Sequence, residues 1–377
     1  MLATTFGLDF AATLAGVLVV VFATGALLAA AFGRLVIPLL VKRKLNDGEP
    51  RKASDYLNML HADKKNTPTM GGVFLIPAVL LAAAGGCGAL MLLGAPVGRL
   101  AAALGAAAFV MLGSAGLGLY DDYCKLTRRG KDGISGKKKL AGQTVIALVA
   151  CSVAWWLIGD EAALILPFTQ ISMGWLMVPF GAFVMVGAGN AYNLTDGLDG
   201  LAGGTGAIAF YALGGAAALL AVFGAIDPAL GMTSAVLAMA ASGGLLGFLY
   251  WNRHPAKVFM GDTGSLSLGA LLGFVAVLGR VELLLAVAGG VFVAEAGSVM
   301  LQVAYFKATK GKRIFRCSPL HHHFQFGGWH ETKVTRKFWG ASMVCALIAL
   351  VLLLVMMPQK SVALHAPAAP AVTVVSR

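Results

Sequence analysis

Asn190-Ala-Tyr-Asn193-Leu-Thr-Asp196-Gly-Leu-Asp199-Gly200 lies near the middle of the chain and separates two long apolar stretches. The flanking sequences 186–189 and 201–205 contain no charged residue. Carboxylates this close to apolar segments are costly unless they meet a cation, water or a polar ligand. The stretch therefore predicts half of an active site, placed between two membrane helices.

The composition is that of a polytopic membrane protein. Of 377 residues, 58% are hydrophobic and only 12% are charged, and the mean hydropathy is +0.81. The five cysteines show no paired spacing, which favours reduced structural thiols over disulfides or a zinc site. The first apolar run lacks a basic segment before it and a small-residue cleavage site, so it is predicted to span the membrane.

Runs of about 20 apolar residues predict membrane-spanning helices. The sequence therefore predicts an all-α integral membrane protein, with a single transmembrane domain over 1–360 and a disordered tail over 361–377. Ten spans are predicted, at 12–41, 70–93, 99–120, 140–158, 173–190, 201–224, 230–250, 264–281, 284–306 and 338–357.

The distribution of the 29 Lys and Arg residues predicts the orientation in the membrane. All except Arg99, Arg280, Lys360 and Arg377 lie at or near the same ends of the predicted helices. By the positive-inside rule these ends are cytoplasmic and both termini are outside. The net charge of +12 is then mainly a topology signal, and nucleic acid is not expected as a partner. The same topology places the Asn190–Gly200 stretch on the cytoplasmic side.

Two further acidic motifs fall at the same predicted surface. Asp121-Asp122 closes the third helix, where adjacent side chains diverge and Lys125 can share a face with Asp121. Asp262, in Gly261-Asp-Thr-Gly264, opens the eighth helix and suits either Mg²⁺ binding or a simple N-cap. An ordinary solvated helix end remains an alternative for Asp121-Asp122.

Basic and histidine motifs have similarly open interpretations. Lys64 and the run Lys137-Lys-Lys139 are either topology signals or clamps for a diphosphate. The three histidines from His321 to His323 suit a metal, a phosphate or a structural role. Glu295, an acid inside the ninth helix, is either functional or bonded to a neighbouring helix.

The carboxylates and lysines share one membrane surface. That arrangement favours an Mg²⁺-dependent reaction between a phosphorylated substrate and a lipid, because oxygen ligands suit Mg²⁺ better than zinc.

The motifs are similar to those of a known family. KKNTPTMGG, LYDDYCK, NAYNLTDGLDGLA, WNRHPAKVFMGDTGSL and RCSPLHHHF occur in this order between about residues 34 and 357. The chain thus resembles the polyprenyl-phosphate N-acetylhexosamine-1-phosphate transferases, and the three histidines resemble the muramoyl-pentapeptide branch. One position departs from the family pattern, since Gln325 stands where an acidic residue is expected.

The resemblance implies transfer of phospho-MurNAc-pentapeptide from UDP-MurNAc-pentapeptide to undecaprenyl phosphate, which releases UMP and forms lipid I for peptidoglycan synthesis. It implies Mg²⁺ as cofactor, a homodimer, and a multi-pass location in the bacterial cytoplasmic membrane with catalytic loops in the cytoplasm. It implies catalytic roles for Asp121 and Asp122 at the lipid phosphate, for Asp262 as Mg²⁺ ligand, and for His321. The other implied substrate contacts are Lys64, Thr69, Lys137, Asn190, Asn193, Asp196, Asp199, Phe259, Gln302 and His322.

Three alternatives remain at this point. A secondary transporter would also carry acids among many helices, but its polar site is expected near the bilayer midplane. A CDP-alcohol phosphotransferase would require an acidic motif that Asp196-Gly-Leu-Asp199-Gly does not supply. The third alternative is the N-acetylglucosamine-1-phosphate branch of the same transferase family.

Overall fold

The computed structural model describes residues 7–43, 45, 64, 66–127 and 133–357. The predicted tail at 361–377 lies outside the described residues. Twelve α-helices and one β-hairpin are found within these ranges. The helices are α1 Gly7–Lys42, α2 Gly72–Leu92, α3 Val97–Thr127, α4 Gly136–Ile158, α5 Met177–Thr195, α6 Leu201–Val222, α7 Pro228–Asn252, α8 Gly261–Leu278, α9 Glu282–Ala288, α10 Gly290–Ala308, α11 Leu320–Gln325 and α12 Glu331–Met356.

The predicted number of spans is confirmed. Ten helices of the described chain are long and apolar enough to cross a membrane, and only the short helices α9 and α11 are not among them. The predicted ninth span, 284–306, is divided in the structure between α9 and α10. Gly289 and Gly290 form the junction, and glycine weakens a helix because it loses the most conformational freedom on folding.

Helices α7 and α8 form the centre of the bundle. Most of their side chains are buried, whereas fewer than a third of those of α1 and α12 are. Small residues on α7 allow α1 to approach its backbone closely. A Cβ at Gly243 or Gly247 would collide with a backbone carbonyl of α1, at Phe22 and Ala26 respectively. This small-xxx-small spacing is typical of tight helix packing in membranes.

Several helices continue beyond the predicted apolar runs. Helix α5 extends to Thr195, five residues beyond the predicted end at 190, and therefore includes Asn193. It continues because Ala191 and Tyr192 are buried in the bundle, and Tyr192 stacks on Phe292 with ring centroids 4.9 Å apart. The connection to α6 is correspondingly short, from Asp196 to Gly200.

An antiparallel hairpin at the opposite end of the bundle was not predicted. Strands β1 (Ala163–Leu166) and β2 (Thr169–Ser172) pair with Leu166 opposite Thr169. Arg280, in the turn after α8, donates from Nε to the Ala163 carbonyl at 3.2 Å and from a terminal nitrogen to Gln170 Oε1 at 3.0 Å. The guanidinium therefore fastens the hairpin to the helices.

We expect the stability of the folded protein to depend on pH through Glu282, which lies two residues after Arg280. Burial raises the pKa of its carboxyl from 4.5 to about 8, against the opposing effect of Arg280. The folded protein thus binds the proton more tightly than the unfolded chain. The contribution of Glu282 to stability is fully present below pH 4.5 and is lost as the pH rises through about 8. Glu282→Gln is expected to raise the melting temperature above that of the wild type at pH 9, with little difference at pH 5.

Differential scanning fluorimetry at both pH values measures this effect. Glu161→Gln is the matched control, because Glu161 lies 3.8 Å from Arg280 but has a largely exposed side chain. An equal difference between Glu282→Gln and the wild type at both pH values contradicts the prediction.

Candidate active site

The end of α3 contacts the beginning of α8. Of the two neighbouring aspartates at this end of α3, Asp122 binds α8 and Asp121 points elsewhere. Asp122 is buried and accepts hydrogen bonds from the backbone N–H of Asp262 at 3.1 Å and of Thr263 at 3.0 Å. It also accepts one from the Thr263 hydroxyl at 2.8 Å. The first N–H groups of a helix have no partner within the helix. Asp122 therefore caps α8 from a neighbouring helix and fixes the backbone that carries Asp262.

Asp121 points elsewhere and meets cations. Its Oδ1 accepts from the backbone N–H of Ile134 at 2.6 Å, and its Oδ2 lies 2.9 Å from Lys125 Nζ and 3.4 Å from Lys139 Nζ. The predicted sharing of a helix face by Asp121 and Lys125 is confirmed. Asp121 is almost wholly buried, so its charge depends on these contacts for compensation.

Asp262 shares the same two lysines. Its Oδ2 lies 2.5 Å from Lys139 Nζ and 2.9 Å from Lys125 Nζ, and its Oδ1 accepts from Asn193 Nδ2 at 2.8 Å. Two ammonium groups thus lie between the carboxylates of Asp121 and Asp262. This lysine–aspartate quartet (Asp121, Lys125, Lys139 and Asp262) combines helices α3, α4 and α8.

The lysine of the run 137–139 that reaches the quartet is Lys139. Lys137, the one implied by the family resemblance, is exposed at the start of α4. Successive helical residues differ in direction by about 100°, so only one of three neighbouring lysines faces α3 and α8. Lys125 and Lys139 were not singled out as site residues, although both occur in charged motifs.

The two asparagines of α5 have different partners. Asn193 Nδ2 donates to Asp262 and also to Ser265 Oγ at 2.8 Å, which joins α5 to the quartet. Asn190, one turn earlier, donates to Gln143 Oε1 at 3.0 Å and to the Val186 carbonyl at 2.8 Å. Asn190 thus faces α4, away from the carboxylates. Asp196 ends α5 and is half-buried.

A second charged group surrounds Lys64. Its Nζ lies 2.7 Å from Asp199 Oδ1 and 2.6 Å from Glu331 Oε1, and His254 Nδ1 lies 3.0 Å from Asp199 Oδ2. Glu331 Oε1 also accepts from the backbone N–H of Asp199 at 2.6 Å. We call these four residues the Lys64 cluster. Sequence reasoning missed Glu331, which is 267 residues from Lys64 along the chain.

Phe259 and Thr69 lie where two backbone segments pair. Phe259 donates its N–H to the Pro68 carbonyl, and its own carbonyl accepts from Gly71, both at 2.8 Å. The Phe259 ring is half-exposed, and its centroid lies 6.0 Å from Lys64 Nζ. Thr69 is buried in the same paired backbone. The segment 66–72 is therefore fastened to the segment that leads into α8.

The histidine segment is supported by α10. His321 is buried, its backbone N–H donates to Glu295 Oε1 at 3.1 Å, and its Nδ1 lies 3.2 Å from Glu295 Oε2. Gln302 binds the backbone of the preceding segment, at Ile314 and Phe315, through three hydrogen bonds. Its amide therefore supports this segment in the structure. His322 Nδ1 lies 2.8 Å from Oε1 of Gln325, the residue that departs from the family pattern.

Two groups of side chains have the chemistry to bind a cation. Asp199, His254 and Glu331 have ligand atoms within 4.8 Å of one another. Ammonium groups contact the carboxylates of both groups, but this one includes an imidazole, which suits transition metals better than Mg²⁺. The Asp121 and Asp262 carboxylates offer oxygen ligands of the kind that suits Mg²⁺, and the Asn193 amide supports Asp262 by donating to its Oδ1. Mg²⁺ usually takes one or two protein carboxylates and completes its shell with phosphates and water. The quartet therefore fits Mg²⁺ better than the Lys64 cluster does.

Comparisons with known proteins identify the family. The glycosyl transferase family 4 model matches residues 103–280, and the phospho-N-acetylmuramoyl-pentapeptide-transferase signature 1 matches residues 64–76. The chain is 41% identical to the phospho-N-acetylmuramoyl-pentapeptide-transferase of Shouchella clausii, over 89% of this chain and 96% of that protein. The chain belongs to the phospho-N-acetylmuramoyl-pentapeptide-transferase family.

Other members of this transferase family are similarly related. The transferases of Listeria welshimeri and Rhodopseudomonas palustris are 40% and 42% identical, over 93% and 87% of this chain and 97% and 90% of their own lengths. The chain is therefore a membrane phosphotransferase of peptidoglycan synthesis. The transporter and CDP-alcohol alternatives are excluded, since the similarity extends along most of the transferase chain.

Proposed function

We propose that this chain transfers phospho-MurNAc-pentapeptide from UDP-MurNAc-pentapeptide to undecaprenyl phosphate, forming lipid I and releasing UMP. An oxygen of the lipid phosphate bonds to the sugar-linked phosphorus of the donor. The bond from that phosphorus to the bridging oxygen breaks, and its electron pair leaves with UMP. The observation that carries this proposal is the quartet, because it places two carboxylates and two ammonium groups at one end of a membrane bundle.

The quartet supplies the electrostatics that this reaction requires. Joining one phosphate to another brings anions together, so fixed positive charge must offset their repulsion. Lys125 and Lys139 provide that charge without a costly rearrangement, because both are already held by Asp121 and Asp262. In this proposal Asp262, supported by Asn193, holds Mg²⁺. When bound, the ion would neutralise phosphate charge.

We assign Asp121 to the lipid phosphate and give Asp122 a supporting role. Asp121 faces the lysines that would bind phosphate oxygens, so it is placed to orient that phosphate and accept its proton. Both oxygens of Asp122 already accept hydrogen bonds from the start of α8. Asp122 therefore acts through the position of Asp262.

The Lys64 cluster, with Phe259, is the proposed nucleotide end of the site. Phe259 offers an aromatic face for a uracil ring, and Lys64 and Asp199 offer a donor and an acceptor for its polar edge. The remaining implied contacts stay predictions. Those implied for the nucleotide pocket are Asn190, Asn193 and Asp196, and those implied for the diphosphate and sugar side are Thr69, Lys137, Gln302, His321 and His322.

The proposed location is the bacterial cytoplasmic membrane, with this site facing the cytoplasm and both termini outside. The support is the positive-inside distribution of Lys and Arg, together with the soluble nucleotide donor. A homodimer is proposed from the family resemblance alone, and light scattering of the purified protein in detergent tests it.

Substitutions in the Lys64 cluster are expected to lower the affinity of the protein for UMP. Glu331→Gln removes the charge that holds Lys64 beside Asp199, and Lys64→Met removes the ammonium itself. Each is expected to weaken UMP binding about 10- to 100-fold, because hydrogen bonds to charged groups contribute about 1.5–3 kcal/mol. Isothermal titration calorimetry with UMP measures this.

Lys337→Met on the exposed face of α12 is the matched control. Unchanged UMP affinity in both the Lys64 and the Glu331 variants would remove the Lys64 cluster from the nucleotide end of the site.

The reaction itself is tested in detergent with undecaprenyl phosphate and Mg²⁺, by following UMP release. UDP-MurNAc-pentapeptide and UDP-GlcNAc are offered separately. UMP release from the pentapeptide donor alone is expected. Release from UDP-GlcNAc alone contradicts the proposed donor and leaves the site assignments in place. Release from neither donor by folded protein contradicts the proposed reaction.

A further inference from the structure

Glu295 and His321 form a buried pair away from the quartet. The relative exposure of Glu295 is 0% and that of His321 is 1%. One Glu295 oxygen accepts from the His321 backbone N–H at 3.1 Å, and the other lies 3.2 Å from Nδ1 of its ring. A single carboxylate therefore fixes both the backbone and the ring of one histidine.

This contact determines the tautomer of a neutral His321. An ionised carboxylate only accepts hydrogen bonds, so the Nδ1 that faces it must carry the proton. The neutral ring then has a bare lone pair on Nε2. Within the described chain, Nε2 is buried and has no hydrogen-bond partner. Buried polar atoms are nearly always paired, so an unpaired one calls for a partner such as water or a ligand.

Nε2 is directed at the connection between α5 and α6. A Cβ at Gly197 would collide with Nε2, so the lone pair lies against the backbone between Asp196 and Asp199. The neighbouring His322 ring, with its centroid 4.1 Å away, is held separately by Gln325. His321 is thus oriented by Glu295, and its Nε2 faces the connection that carries Asp196 and Asp199.

We propose that Glu295 is a positioning residue for the transfer reaction. It holds His321 in the Nδ1–H tautomer, so that Nε2 accepts a hydrogen bond from a hydroxyl or amide N–H of the sugar-peptide donor. This inference rests on the proposed role of His321 at the donor. Glu295 touches no substrate and acts only through His321.

A double-mutant cycle tests the coupling between the two residues. Glu295→Gln keeps the shape of the side chain but can present an amide NH₂ group to Nδ1, which favours the opposite tautomer. Its kcat is expected to fall about 10- to 100-fold, which is the effect typical of removing a residue that orients a functional histidine. Its UMP affinity should be unchanged. His321→Asn is expected to show a similar loss. The double variant should be no slower than His321→Asn alone, because both changes remove one function.

The control is Ser298→Ala on the same helix, since Ser298 Oγ donates only to the backbone carbonyl of Glu295. It should leave kcat unchanged. If Glu295→Gln does not fold, Glu295→Asp replaces it, and its loss should likewise vanish in the His321→Asn background.

Losses that multiply in the double variant overturn the proposal, as does a wild-type kcat for folded Glu295→Gln. A wild-type kcat for His321→Asn overturns the role of His321 and this inference with it. The proposed reaction would still stand on UMP release by the wild type.

Discussion

Asp262→Asn is expected to lower kcat by about 10²- to 10³-fold or more, because it removes one fixed charge from the centre of the proposed phosphate site. The amide is a poor Mg²⁺ ligand and leaves Lys125 and Lys139 with Asp121 as their only carboxylate in the quartet. The fold should persist, since Asp122 bonds to the backbone of residue 262 and not to its side chain. UMP release at saturating donor and lipid measures the loss.

The control is Asp160→Asn, which removes an exposed charge outside the bundle core. It should retain the wild-type kcat and melting temperature. Near-normal turnover by Asp262→Asn would remove Asp262 from the proposed metal site.

Asp121→Asn is expected to lower turnover alone, whereas Asp122→Asn is expected to lower both turnover and stability. Asp121→Asn should lower kcat about 10²- to 10³-fold with the melting temperature and UMP affinity close to wild type, because it removes a charge that faces the lysines. Asp122→Asn should lower both kcat and the melting temperature. Its amide nitrogen cannot accept from the start of α8, which leaves a buried donor unpaired at a cost of about 1–3 kcal/mol.

The two variants are compared by UMP release, UMP titration and thermal unfolding of the same preparations. Equal melting temperatures for Asp121→Asn and Asp122→Asn would contradict the capping role of Asp122. Loss of UMP affinity in Asp121→Asn would move that residue to the nucleotide end.

The membrane spans were predictable because each depends on a local property, the length of an apolar run. Their ends were not. Helix α5 was expected to stop at residue 190 and continues to Thr195, because backbone hydrogen bonding does not require apolar side chains and Tyr192 packs into the core. The two-stranded hairpin was missed for a related reason, since Arg280 fastens it from a distant turn.

The kinds of residue in the site were also predictable, but their pairings were not. The sequence indicated acids and lysines at one surface, yet it gave no reason to choose Lys139 over Lys137. That choice depends on how α4 rotates against α3 and α8. Nor did any local pattern connect Glu331 with Lys64, or Glu295 with His321, because these contacts join segments far apart in the chain.

The sequence by itself determined the class of protein, the number of spans and the family, because apolar runs and short motifs are local and can be read in order. Only the tertiary structure decided which side chain meets which. It separated Asp122, which caps α8, from Asp121, which faces the lysines, although the two are neighbours in sequence. The physical reason is that the partner of a buried charge is determined by the packing of helices, and rotating a helix by about 100° replaces the side chain at a contact with its neighbour in the sequence.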